Sequence, residues 1–217
     1  MPPTGPVLLG AVALAVIFVG RALLSRRHAS PCPAWLAWLV EIDNPLFAST
    51  RASTIIAHLD LKSGMRALDV GCGPGRLTIP MARKVGPGGR VVALDIQAGM
   101  LRRAKANAER AKLTNIDFHE VEIATDELHF GSFDRVVLAA VLGEIPDQEN
   151  ALREIFDALR PGGVLAITEV IADPHFQRRD RVLALASRIG FCEKKRIGGR
   201  LAYSIYLERP ASPSAVT

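Results

Sequence analysis

Aromatic residues make up only 6% of the 217-residue chain, and that scarcity bears first on nucleic acids. Single-strand binders need stacking aromatics interleaved with Lys and Arg on one element. Here the basic residues are scattered, apart from three near the N-terminus, so no nucleic-acid partner is expected despite a formal net charge of +5. Cysteine is scarce too. Cys32, Cys72 and Cys192 are odd in number and far apart, with no C-x-x-C pair and no His at zinc-ligand spacing. That pattern indicates neither a disulfide framework nor a metal site. No internal repeat is evident, and the only biased stretch is the Pro/Ser-rich 210–217, read as a frayed tail.

Charge is missing altogether between Pro6 and Gly20, in the run PVLLGAVALAVIFVG. Ala22, Leu23 and Leu24 prolong the apolar stretch past Arg21, and nineteen residues from Pro6 to Leu24 suffice to span a bilayer core if Arg21 reaches the interface. Residues 1–5 carry no Lys or Arg and no A-x-A site follows, so an uncleaved anchor fits better than a signal peptide; a helix buried in an oligomer is a further alternative. Arg21, Arg26 and Arg27 lie on the C-terminal side of the run, which predicts a single pass with the following domain in the cytoplasm. Trp35 and Trp38, three residues apart, either share an interfacial helix face or pack onto the domain. The domain reading is thus 1–28 anchor and basic flank, 29–46 linker or interfacial helix, 47–209 globular domain, and 210–217 tail.

From about Phe47 the chain alternates short apolar runs with helical periodicity. Strands are expected at 67–70, 90–94, 116–121, 133–138 and 164–170, and helices at 76–84, 97–112, 148–159 and 177–189. The helix through Leu159 is expected to stop before Pro161-Gly162-Gly163. Residues 193–197 and 201–207 read as a hairpin turning at Gly198-Gly199. Repeated βα units predict a doubly wound, mostly parallel sheet that binds ligands beyond the carboxyl ends of its strands.

One such end carries Asp69-Val70-Gly71-Cys72-Gly73-Pro74-Gly75. Glycines there permit positive φ and close approach of a ligand to the backbone, and the helix that follows offers free N–H groups. A dinucleotide fingerprint needs its third glycine at position 76, which is Arg76, so nicotinamide and flavin are disfavoured. Asp95 ends the second strand twenty residues after Gly75, where an acid accepts hydrogen bonds from ribose hydroxyls.

The ordered set LDVGCGPGR, VVALDIQAGML, GSFDRVV and LREIFDALRPGG resembles the successive motifs of the class I methyltransferases, over about residues 59–207. The resemblance implies a Rossmann-like, seven-stranded sheet with an antiparallel last strand, and S-adenosyl-L-methionine as cofactor. It further implies that Asp69 and the Gly71, Cys72, Gly73 and Gly75 loop hold the cofactor's methionine part, with Asp95 on its ribose and Ile96 against its adenine. Relatives often place Gly-Asp-Ala after the third strand, where this chain has Val121-Glu122-Ile123, so Glu122 and Ile123 are the adenine-side candidates. Residues 138–141, Ala139 among them, correspond to the cofactor floor.

Methyl transfer needs an acceptor atom in line with the methyl carbon, and a base where that atom is a hydroxyl or thiol. Glu144, Asp173 and His175 are the catalytic candidates near strand ends; the latter two follow Glu169, which closes the fifth strand. Many lipid-quinone methylating relatives carry two His at the positions of Gly143 and Glu144, a departure that separates this chain from them. With the apolar N-terminus, the expected substrate is a small hydrophobic or lipid-like acceptor. A non-catalytic cofactor-binding membrane module and a protein or RNA methyltransferase are the alternatives.

Overall fold

The computed structural model describes residues 46–124 and 132–211. A 3-10 turn at Ala48–Thr50 leads into α1 (Ala52–Leu59), followed by β1 (Arg66–Val70), α2 (Thr78–Val85), β2 (Arg90–Asp95), α3 (Ala98–Arg110) and β3 (Ile116–Glu120). The second half holds β4 (Phe133–Ala139), a 3-10 turn at Leu142–Glu144, α4 (Gln148–Ala158), β5 (Leu159–Val170), α5 (Arg179–Ile189), β6 (Cys192–Gly198) and β7 (Ala202–Glu208).

The seven strands lie in the order β3-β2-β1-β4-β5-β7-β6. All neighbours pair in parallel except β7, which runs antiparallel to both β5 and β6. The last strand is therefore the reversed one, as expected. Connections leave β1 in one direction along the sheet and β4 in the other, so the carboxyl ends of these two adjacent strands form the topological switch point where open α/β sheets bind ligands.

Strand periodicity explains the two-sided core. Leu68, Val70, Val136, Leu138, Leu165 and Ile167 share one face and bury against Leu152 and Ile155 of α4 and Val182 and Leu185 of α5. Ala67, Val91, Val137 and Ala166 alternate to the other face, under Ile55 and Leu59 of α1 and Met81 and Val85 of α2. By the same alternation Asp69 and Asp95 fall on the α2 face, whereas Glu169 falls on the α4/α5 face. Helix α4 begins with Asp147 accepting from the Asn150 N–H at 2.9 Å, a side-chain N-cap.

Two expectations change in the structure. Helix α4 stops at Ala158, and extended pairing begins at Leu159, not at 164. The reason is tertiary: the Arg209 guanidinium, from the far end of the chain, donates to the carbonyls of Phe156, Asp157 and Leu159 at 2.8, 3.0 and 2.6 Å and terminates the helix. Gly198 lies inside β6, paired with Tyr203, and the turn falls at residues 199–201; glycine is required at position 198 because a Cβ would stand 2.3 Å from the Ala202 carbonyl. The predicted membrane helix lies outside the described residues, among which no helix is long and apolar enough to cross a membrane.

The Phe-Asp pair of the GSFDRVV motif proves structural. Asp134 is buried and accepts from the Arg66 N–H at 2.8 Å and from both terminal nitrogens of Arg160 at 2.7 Å, locking the start of β1 to β4 and β5. Asp134→Ala strands the Arg66 N–H, and half-exposed Arg160 contributes less; we expect a loss of about 2 kcal/mol, read as a lower urea midpoint with unchanged cofactor affinity in the folded protein.

Candidate active site at the carboxyl ends of β1, β2, β4 and β5

The loop after β1 is built on left-handed backbone: Gly71, Gly73 and Gly75 have φ of 68°, 53° and 91°. At Gly71 the demand is also steric, since a Cβ would stand 2.4 Å from Val141 Cγ2 across the switch point. The loop is pinned from β2. The Cys72 N–H donates to the Leu94 carbonyl at 2.8 Å, and the Gly73 N–H donates to Asp95 Oδ2 at 2.8 Å. Asp95 Oδ1 accepts from the Gln97 N–H at 2.8 Å. Burial raises the Asp95 pKa while these two backbone donors pull it down. Two oxygens offer about four acceptor sites, so both can still take hydroxyl donors.

Asp69 sits deeper than the sequence implies for a direct cofactor ligand. It is 2% exposed, and its Oδ2 accepts from the Thr78 hydroxyl at 2.5 Å, joining the end of β1 to the start of α2. Burial pushes its pKa up to about 6, against the lowering effect of Thr78. Its structural part is to hold the loop. Cys72 is buried, and burial above all, with Asp69 and Asp95 beside it, drives its thiol pKa far up, so it is no thiolate nucleophile.

Ile96 is exposed beside Asp95, an apolar surface available to a flat ring. The chain after β3 is drawn to the same place by the Val121 N–H bond to the Asp95 carbonyl at 3.3 Å. Glu122 is exposed there, whereas the Ile123 side chain is buried in the core, so its backbone is the part left for a ligand. Across the switch point, Ala139 ends β4, and Ala140 adopts a left-handed φ of 58° with its N–H bonded to the Thr168 carbonyl at 2.8 Å. A non-glycine residue held in that conformation is a strained position at the ligand edge.

The three catalytic candidates gather around a residue that the sequence reading left without a role. Glu169 is 1% exposed; one carboxyl oxygen accepts from the Gln177 N–H at 3.1 Å, and Oε1 is buried with no partner among the described residues. Burial, then the nearby Asp173 and Glu144, push its pKa up to about 8, so it is largely protonated at neutral pH. Residues 171–177 fold over it as a strap. Asp173 Oδ1 accepts from the His175 N–H at 2.7 Å, Gln177 Nε2 donates to the His175 carbonyl at 2.7 Å, and the Tyr203 hydroxyl donates to the Gln177 carbonyl at 2.9 Å. Asp173, too, has its pKa raised by burial. The strap packs so tightly on the 3-10 turn of Glu144 that a Cβ at Gly143 would lie 1.9 Å from the His175 carbonyl oxygen. His175 Nε2 is buried without a hydrogen-bond partner among the described residues. An acid closing an otherwise apolar strand, as Asp69 and Asp95 also do, was the available signal for Glu169.

Left-handed glycines, an acid with spare acceptor capacity and an exposed apolar neighbour fit an adenosyl group carrying an amino acid tail. A family profile described as a methyltransferase domain matches residues 61–198. The chain belongs to that family, the class I S-adenosylmethionine-dependent methyltransferases, whose cofactor is S-adenosylmethionine. An arsenite methyltransferase of Aquipseudomonas alcaligenes is 34% identical over 165 residues, 71% of this chain and 48% of that protein. A demethylmenaquinone methyltransferase of Lactococcus lactis subsp. lactis is 37% identical over 119 residues, 55% of this chain and 47% of that protein. The chain thus spans about half the length of the curated relatives it matches. The crystal structure of a SAM-dependent methyltransferase from Aquifex aeolicus shares the fold, with a TM-score of 0.71 over 82% of this chain and 98% of that one at 21% identity.

The buried acid makes stability depend on pH. Below the ordinary glutamate value of 4.5 both folded and unfolded chains hold the Glu169 proton, so its contribution is fully present; between there and about 8 the unfolded chain loses the proton first and stability falls. Glu169→Gln keeps an acceptor for the Gln177 N–H and cannot ionise. Urea midpoints should therefore decline less steeply from pH 5 to 8 in the variant, with the largest gain over wild type at the alkaline end.

Proposed function

We propose that this chain transfers a methyl group from S-adenosylmethionine to a small, apolar or lipid-like acceptor at a membrane, with its catalytic domain on the cytoplasmic side. The observation that carries the transferase reading is the bond between Asp95 and the Gly73 N–H: it holds the glycine loop and the ribose-side acid as one unit beside the switch point. The cofactor supplies an activated methyl on a sulfonium, so the chain's own work is to orient, dehydrate and move one proton. His175 Nε2 is the base for a hydroxyl or thiol acceptor, and protonated Glu169 offers a hydrogen-bond donor within the same carboxyl-lined end.

Two curated relatives divide the substrate question between arsenite and a demethylated quinone. Arsenite is a soft thiophile and calls for grouped thiols. The two described cysteines do not provide them: Cys72 is buried after β1 and Cys192 is exposed on the outer strand β6. An organic acceptor agrees better with the carboxyl and imidazole groups present. The apolar run at residues 6–24, with Arg21, Arg26 and Arg27 behind it, supports a membrane-borne source.

Asp95→Ala removes the ribose acceptor and the tie to Gly73 together. Calorimetry should show S-adenosylmethionine affinity lowered by at least about tenfold, equivalent to about 1.4 kcal/mol. Incubating membranes with methyl-labelled cofactor and the wild-type protein should put label into the lipid extract, and Asp95→Ala should not. Label confined to protein or RNA overturns the small-acceptor reading.

A further inference from the structure

The ligand edge of this sheet carries an apolar tip that the transfer chemistry does not use. Large exposed hydrophobic side chains include Leu46, Ile171 and Leu201, at 83%, 48% and 56% exposure. Ile171 and Leu201 are neighbours, since the Ile171 N–H donates to the Leu201 carbonyl at 2.7 Å, just beyond the Val170 and Ala202 pair that ends the β5/β7 ladder. The tip therefore stands on a hydrogen-bonded base. It opens the strap over Glu169, so it borders the acceptor side of the site.

Leu46 comes to the same edge by a separate set of bonds. Three residues on, Ser49 donates from Oγ to the Ala202 carbonyl at 3.3 Å and accepts at its own carbonyl from Ser204 Oγ at 2.6 Å. Ser204 is bonded to Thr168 at 2.7 Å, and the Thr50 carbonyl takes Arg76 Nη1 at 3.2 Å, next to the glycine loop. Three residues span at most about 11 Å, so Leu46 lies within that reach of Ser49. The described chain therefore enters the domain within about 11 Å of Ser49, whose hydroxyl is bonded to Ala202, the residue after Leu201. Arg200, next to Leu201 in the chain, and Arg178, next to Gln177 at the end of the strap, are both exposed.

From this placement we propose that Leu46, Ile171 and Leu201 form a docking face for a lipid surface, with Arg178 and Arg200 at the level of anionic headgroups. It rests on the membrane reading above and sharpens it: the face turns the strap at residues 171–177, and with it the acceptor side, toward the bilayer. Exposed apolar residues rimmed by cations are the chemistry of an interfacial contact, and the N-terminal run limits how far this edge can move from the membrane.

The test uses the full chain in vesicles of phosphatidylethanolamine and phosphatidylglycerol, with photoreactive benzoylphenylalanine in place of Leu201, of Ile171, or of Gly88 in the turn before β2 at the opposite edge of the sheet. Each protein is first floated with the vesicles, and S-adenosylmethionine affinity within about twofold of wild type verifies the fold. Irradiation is expected to give lipid adducts at positions 201 and 171 and few or none at 88, and fewer when vesicles of phosphatidylcholine alone replace the anionic mixture. A protein that floats but gives no lipid adducts, or gives them equally at all three positions, overturns the docking face and leaves the anchor reading standing. Adducts to residues 29–45 of the same chain, or to a second protein copy, overturn it as well. A protein that does not float overturns both.

Discussion

The carboxylate of Asp95 accepts the Gly73 N–H with one oxygen and the Gln97 N–H with the other, so a single side chain joins the end of β2 to the loop that leaves β1. The remaining site geometry depends on that join. The loop is left-handed at three glycines, and Gly71 can turn there only because Val141, from the β4 side, meets no Cβ. Asp69 supports it from below through Thr78. Two acids that look alike in the sequence thus divide the work: one is buried to hold the loop, and the other holds the loop while keeping acceptor capacity outward.

On the other side of the switch point the logic is burial, not pairing. Glu169, Asp173 and Glu144 crowd one end of the sheet, and no Lys or Arg is bonded to the Glu169 carboxyl among the described residues. Like charges in a poorly solvated place favour the neutral acid. A protonated carboxyl, a buried imidazole nitrogen and a strap closed by Tyr203 meet there, and the carboxyl brings a stability cost that grows as pH rises. Sites that hold titratable groups against their solvation preference are where proton chemistry is found. The same strap begins at the exposed Ile171, next to Leu201.

Much of the fold was legible in the sequence because period-two and period-3.6 patterns report faces directly. The succession of strands and helices, the closing hairpin and the glycine turn after β1 followed from residues within a few positions of one another, and the reversed last strand from the family resemblance. What went astray depended on distant partners. The end of α4 is set by Arg209, fifty-one residues beyond Ala158, and the start of β5 by its pairing with Phe133.

What this sequence determined by itself is the class of chemistry, through the resemblance of its ordered motifs to the class I methyltransferases; the glycine loop and strand-end acid within them are local requirements that few residue types meet. Tertiary structure alone decided which acids do what. Burial made Asp69 a support and Glu169 a neutral carboxyl, and only the folding of residues 171–177 over β5 brought Glu144, Asp173 and His175 to one place. Solvation and proximity are properties of the packed chain, and no local pattern encodes them.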